Sequence, residues 1–239
     1  HLGGGFFRYS VDERWGVPHF EKMLYDQALL LHAGADAFEV LNDPFFEAFC
    51  RDIVSFLYRE MRSPEGAFAA ALDADAEGME GGYYLWSDSA IREVLSEEDA
   101  ALFKTAYSVL HEGNLGKHGN MDTLGKNVLR RSKTSEELAA LMRLPSAGIE
   151  ERLSACVKAL LAKRDAKRRP FRDDKILTDW NGLAIAALAR AGRLCGRKEF
   201  IDGAVHAANF VLKTLWDGKG ELRHRYIGGE TAVSGMLPD

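Results

Sequence analysis

The 239 residues are 46% hydrophobic and 28% charged, with a net charge of -5, the balance of a soluble globular chain long enough for one or two domains. That charge gives no whole-molecule attraction to nucleic acid or to an anionic membrane, and no apolar run approaches about 18 residues, so no membrane span is expected. Cys50, Cys156 and Cys195 are far apart, odd in number and each set in a helical pattern. They read as buried reduced thiols, which fits a reducing, cytoplasmic setting. The chain starts at His1 without a methionine and stops at Pro238-Asp239, and both ends look cut from something longer.

After Gly3-Gly4-Gly5, the run Phe6 to Val11 is aromatic and strand-like. Then comes Trp15-Gly-Val-Pro-His-Phe-Glu-Lys-Met-Leu-Tyr-Asp-Gln27. Pro18 fixes its own φ and biases Val17 to an extended shape, which predicts a helix starting just after it. Leu24, Ala28, Leu31 and Ala35 recur at helical spacing to about Leu41. His19, Glu21, Lys22, Tyr25 and Asp26 are thereby expected to crowd the first turns of that helix. Buried polar groups at such a place are costly unless they pair or act. Asn42-Asp43-Pro44 punctuates, and a second helix runs to about Met61, ended by Ser63-Pro64-Glu65-Gly66 and an extended piece from Ala67 to Leu72.

The same unit returns at an offset of 154 positions. Leu29 meets Leu183, Ala33 meets Ala187, Ala35 meets Ala189, Ala37 meets Ala191, Phe46 meets Phe200, Phe56 meets Phe210 and Gly66 meets Gly220, without a gap. A repeated helical hairpin implies units that stack to bury their apolar faces. Between the copies, Gly81 to Trp86 reads as a strand, Ser87 or Asp88 caps a short helix, and Glu97 to Tyr107 forms another. Residues 112 to 123 read as a glycine-rich loop. Thr134 opens a helix to Met142, and Ile149, Leu153, Val157, Leu160 and Leu161 mark a longer one.

In both copies large polar or amphipathic groups stand at the start of the first helix, Asp26-Gln27 opposite Trp180-Asn181. If the hairpins circle into a toroid, those starts converge on one rim. A ring of acids, amides, a histidine and aromatic faces suits a polyhydroxylated ligand. His19 is the candidate base, since an ordinary histidine pKa of about 6.5 suits proton abstraction. Asp26 is expected to orient it or bind a hydroxyl. Glu21, Lys22, Tyr25, Trp180 and Asn181 are candidate substrate contacts, as is Asp174, although Asp173 and Asp174 also suit neutralisation of Arg169 and Arg172. Asp73-x-Asp75-x-Glu77-Gly78 opens like a calcium loop, but its twelfth position is Tyr84 rather than glutamate. Asp73 and Asp75 are therefore candidates for sugar contact or an acidic turn. No zinc motif, phosphate loop or dinucleotide fingerprint is present, so neither metal nor cofactor is expected.

These residues carry a resemblance. Gly-Gly-Phe-x-Arg-Tyr-Ser-Val-Asp and Trp-x-Val-Pro-His-Phe-Glu-Lys-Met-Leu-Tyr-Asp-Gln are similar to the spermatogenesis-associated protein 20-like, thioredoxin domain-containing family. Further agreeing blocks are Leu72 to Gly78 with Tyr83 to Trp86, Gly113-Asn114 with Asn127 to Leu129, and Arg169-Pro170 with Asp173 to Thr178 and Trp180 to Leu183. The resemblance implies an (α/α)6 toroid of the six-hairpin glycosidase type, mainly α with short β-hairpin excursions. All of residues 1–239 would be an interior part of one toroid domain, related in fold to N-acylglucosamine and cellobiose 2-epimerases. A thioredoxin-like domain would precede it, and Gly235 to Asp239 would lead into a further hairpin. Phe7 departs from a usual histidine, Gly16 from a leucine and Asp179 from a small residue, and the loop from His111 to Gly125 is longer. The implied activity is sugar 2-epimerisation or isomerisation. Glycoside hydrolysis by paired carboxylates and a non-catalytic carbohydrate- or protein-binding toroid are the alternatives.

Overall fold

A computed structural model describes residues 1–236, so the expected lead-in at Gly235 to Asp239 falls, from residue 237, outside the described residues. The helices are α1 (Leu24–Leu41), α2 (Pro44–Phe56), α3 (Asp88–Arg92), α4 (Glu97–Ala106), α5 (Ser135–Met142), α6 (Ile149–Asp165), α7 (Thr178–Leu194) and α8 (Lys198–Phe210). The chain divides into two compact units. One holds residues 1–3, 9–20 and 74–170; the other holds residues 4–8, 21–73 and 171 onward. No helix among the described residues is long and apolar enough to cross a membrane.

The second unit is made of two helical hairpins, α1 with α2 and α7 with α8. Its two copies follow the 154-residue offset, α7 ending one residue before the position that matches the end of α1. Pro44–Phe56 maps onto Lys198–Phe210, and a π turn at Leu57–Met61 maps onto one at Val211–Leu215. The bridge from Arg62 to Phe68 maps onto that from Trp216 to Leu222. The strand Lys22–Met23 pairs with Ala71–Leu72 in the register in which Ile176–Leu177 pairs with Tyr226 and Arg225. The helices pack α1 on α2, α7 on α8, and α1 on α7. Asp43 caps α2 by accepting the Phe45 N–H at 2.9 Å, with Pro44 in the first turn. Gly34 lets α1 and α2 approach: a Cβ there would meet the Phe49 ring within 2.6 Å. The core joins Leu24, Leu31, Ile53, Phe56, Leu57 and Phe68 to Ala184, Leu188 and Phe200. Arg190 of α7 bonds Asp36 of α1, its counterpart in the repeat, and Glu39 at 2.8 Å.

The first unit carries α3 to α6 around Phe103, Leu129, Leu138, Leu153 and Leu160. Ser87, Ser96 and Thr134 cap their helices, and Glu137 returns the Thr134 bond in a capping box. Buried Arg164 donates to the Leu2 carbonyl at 2.8 Å, so the basic run is partly core.

Two expectations are corrected. The first helix begins at Leu24, not after Pro18. Pro18–His19 pairs with Tyr9–Ser10, and Lys22–Met23 pairs with Ala71–Leu72, so both ends of the span from 18 to 23 give their backbone to ladders. Gly81 to Trp86 is not one strand. Gly81 sits at φ 72 and its carbonyl accepts the Tyr84 and Leu85 N–H groups, which makes a turn; only Trp86–Ser87 pairs, with Lys126–Asn127.

Candidate functional site

In the first unit, the hairpin of Tyr9–Ser10 with Pro18–His19 sets Tyr9 opposite His19. The Tyr9 ring stacks on the imidazole at 4.8 Å between centroids. Glu80 Oε1 lies 2.9 Å from His19 Nδ1. Glu80 is fixed by its own hairpin, Asp75–Ala76 with Met79–Glu80, turned through Glu77 and Gly78 at φ 55 and 79. Two left-handed residues in succession match the twist of a tight hairpin. A carboxylate against Nδ1 favours the tautomer that carries its proton on that nitrogen and orients the ring. The partner that orients the histidine is therefore Glu80, whereas Asp26 belongs to the other unit.

In the second unit, Arg8 donates to Glu21 at 2.8 Å and to the Tyr25 hydroxyl at 3.1 Å. Tyr25, in the first turn of α1, meets Trp180, in the first turn of α7, edge to face at 4.8 Å. Both rings, with Leu29, Asp179, Leu183 and Ala186, line an open groove of about 510 Å³. Beside Tyr25, Asp26 has a buried Oδ2 without a hydrogen-bond partner. Burial pushes its carboxyl above the usual range; Arg8 opposes that shift and Glu21 adds to it.

Other candidates stand elsewhere. Lys22 is 1% exposed; its Nζ donates to the Gly4 carbonyl at 2.8 Å and lies 4.6 Å from the Phe7 and Phe56 ring centroids. It is a core cation rather than a substrate contact, and its burial is offset by the carbonyl and the two ring faces. Asn181 is also buried. Its side chain accepts the Phe68 N–H at 2.9 Å and donates to the Phe68 and Leu177 carbonyls at 3.0 and 2.9 Å. That commits both of its N–H donors and one of its two acceptor sites to the backbone. Gln27 does the same to Phe6 and Met23. Glu21 pairs with Arg8. Asp174 is exposed and accepts from Arg172 at 2.5 Å. Asp73 and Asp75 are exposed and fall in different units. Among the described residues no group of histidines, cysteines or acids could hold a metal. Sequence reasoning missed Arg8 and Glu80. Arg8 stood in an aromatic run read only for strand, and Glu80 lies 61 residues from its partner.

No protein-family model matches the chain. It is 31% identical over 257 residues to human spermatogenesis-associated protein 20, covering 100% of this chain and 33% of that protein. The rat protein of that name is 30% identical, covering 96% and 31%. The chain matches spermatogenesis-associated protein 20 along its whole length. It spans about a third of these relatives' own length, and is also 33% identical to an uncharacterized Caenorhabditis elegans protein, covering 98% of this chain and 34% of that one. Solved structures similar to it include a D-mannose isomerase, 13% identical with a TM-score of 0.30, covering 93% of this chain and 49% of that one. A cellobiose 2-epimerase from Bacillus thermoamylovorans B4167 is 11% identical with a TM-score of 0.26, covering 95% and 70%.

Proposed function

We propose that this chain carries part of a sugar 2-epimerase- or isomerase-like activity, with His19 as the base. The observation that supports it is the 2.9 Å contact between His19 Nδ1 and Glu80 Oε1, the arrangement of a base held by a third group. The proton on the carbon next to an open-chain sugar's carbonyl passes to the His19 imidazole. The electron pair moves to the carbonyl, giving an enediolate; a second acid returns a proton to the other face of the same carbon for epimerisation or, once the hydroxyl proton has moved from O2 to O1, to the former carbonyl carbon for isomerisation. Separately, within the second unit, the groove at Tyr25 and Trp180 suits a sugar's C–H face, and the buried Asp26 Oδ2 beside it suits a hydrogen bond with a hydroxyl.

The test uses the full-length protein with D-glucose, D-mannose, cellobiose and N-acetylglucosamine in deuterated water. Proton NMR follows the C2 position. The expected result is exchange of that proton in at least one sugar, lowered about 10²–10⁴-fold in His19→Ala. Exchange in none of them, with the protein folded, overturns the activity; sugar binding without exchange would make the chain a binding module.

A further inference from the structure

The loop joining the two strands of the Tyr9–His19 hairpin holds one large side chain out in water. Trp15 is 78% exposed, and its backbone sits at φ 55, in the left-handed region that a bulky residue rarely adopts. Both features are unfavourable, so the conformation persists only because its surroundings impose it. Asp12 does most of this. Its Oδ1 accepts the backbone N–H groups of Gly16 and Val17, each at 2.7 Å, and its Oδ2 accepts that of Arg14 at 3.2 Å. Those bonds, Val17 first, hold the Asp12 carboxyl below the usual range. Ser10 Oγ ties the Asp12 carbonyl at 2.8 Å, and Arg130 reaches the Trp15 carbonyl at 3.4 Å. The loop is pinned on both sides of the indole while the indole itself is left uncovered.

Two further features give that indole a use. The strands it caps carry Tyr9, itself 52% exposed, stacked on the imidazole of His19. Its chain neighbours Glu13 and Arg14 are charged and exposed. An isolated flat ring flanked by charged groups fits a ligand with one apolar face and polar edges. A pyranose or extended sugar has such a face in its C–H groups and such edges in its hydroxyls.

We propose that Trp15 is a stacking platform for the carbohydrate on which His19 acts, a specificity-determining residue that binds and does not transfer protons. This rests on the reading of His19 as a base acting on a sugar.

The experiment labels the full-length protein with 5-fluorotryptophan and assigns the Trp15 resonance by its loss in Trp15→Phe. The four sugars named above are then titrated while fluorine NMR is recorded, and exchange kinetics are run in parallel. The Trp15 resonance is expected to show a solvent isotope shift and to move with the sugar whose C2 proton exchanges. Trp15→Ala is expected to raise KM about 2–10-fold with kcat unchanged, and Trp15→Phe to retain most of the affinity. A resonance without a solvent shift, or one that no sugar moves, overturns the proposal; the first would mean that other parts of the protein cover the indole. If His19→Ala abolishes exchange while the Trp15 signal stays fixed, the platform falls and the base stands. If a sugar moves the Trp15 signal but none exchanges, the base falls and the platform stands. The fluorine readout on unmutated protein decides the matter even if Trp15→Ala does not fold.

Discussion

Removal of the Asn181 amide tests the architecture most directly. Asn181 lies in the first turn of α7 and closes three hydrogen bonds, two on Phe68 and one on Leu177. Phe68 is fully buried, so no water replaces the lost partner. Three bonds at about 1 kcal/mol each, with a stranded buried N–H and C=O adding about 1–3 kcal/mol between them, give a loss of about 4–6 kcal/mol in Asn181→Ala. Gln27→Ala removes the corresponding bonds to Phe6 and Met23. It should cost less, because the Phe6 side is only part-buried and water can substitute. Urea unfolding of the full-length protein, followed by helical circular dichroism, measures both. With a slope of about 2 kcal/mol per molar, the Asn181→Ala transition should move down by about 2–3 M. The two substitutions touch separate clasps, so their effects on that transition should add within about 0.5 kcal/mol. A loss below about 1 kcal/mol in Asn181→Ala would refute the reasoning and return Asn181 to the list of candidate ligand contacts.

Two further outcomes follow from charge and burial. Burial raises the Asp26 pKa, so the folded state holds its proton more tightly than the unfolded chain. Stability from this group is full below the unfolded value, falls as pH rises through the window up to the folded value, and stays reduced above it. Asp26→Asn should therefore raise the melting temperature at pH 7–8 and lose that advantage at about pH 4; a melting temperature unchanged at pH 7.5 would contradict the burial argument. Burial first, and the neighbouring Cys195 thiol second, push Cys50 up to about 12. At pH 8 its alkylation by iodoacetamide should run about 10³-fold slower than that of a free thiol, read by peptide mass mapping of the folded protein, whereas reaction at an ordinary thiol's rate would contradict it.

The offset of 154 residues was legible because it rests on apolar spacing and punctuation, and these translate directly into helices. Asp43-Pro44 starts α2 where capping chemistry says it should, and the second copy reproduces its length residue for residue. The start of α1 was not legible. Pro18 favours a helix after it, but both ends of the span from 18 to 23 are taken by strand partners that local propensity does not register. Lys22 misled for a related reason. A lysine beside a glutamate reads as surface, and only the tertiary structure brings the Gly4 carbonyl and two phenyl faces around its ammonium. His19 was singled out from its type and neighbourhood, yet Glu80 carries no local signal at all, since acids on tight hairpins are ordinary.

The comparison of the two hairpin copies separates structural from chemical positions. Gln27 and Asn181 occupy equivalent places and differ by one methylene, yet each clasps a backbone peptide and the carbonyl four residues earlier in its own chain. A polar group that recurs at an equivalent place and is committed to backbone in the same pattern belongs to the fold, however suggestive its chemistry. Asp36 and Arg190 make the same point, since equivalent positions of opposite charge pair with each other. Asp26 behaves otherwise. Its equivalent is Trp180, a ring that packs on Tyr25, while Asp26 itself keeps a buried oxygen with no bond. A buried carboxyl oxygen that the repeat does not require and that no hydrogen bond satisfies is the physical reason to look for its partner in a ligand.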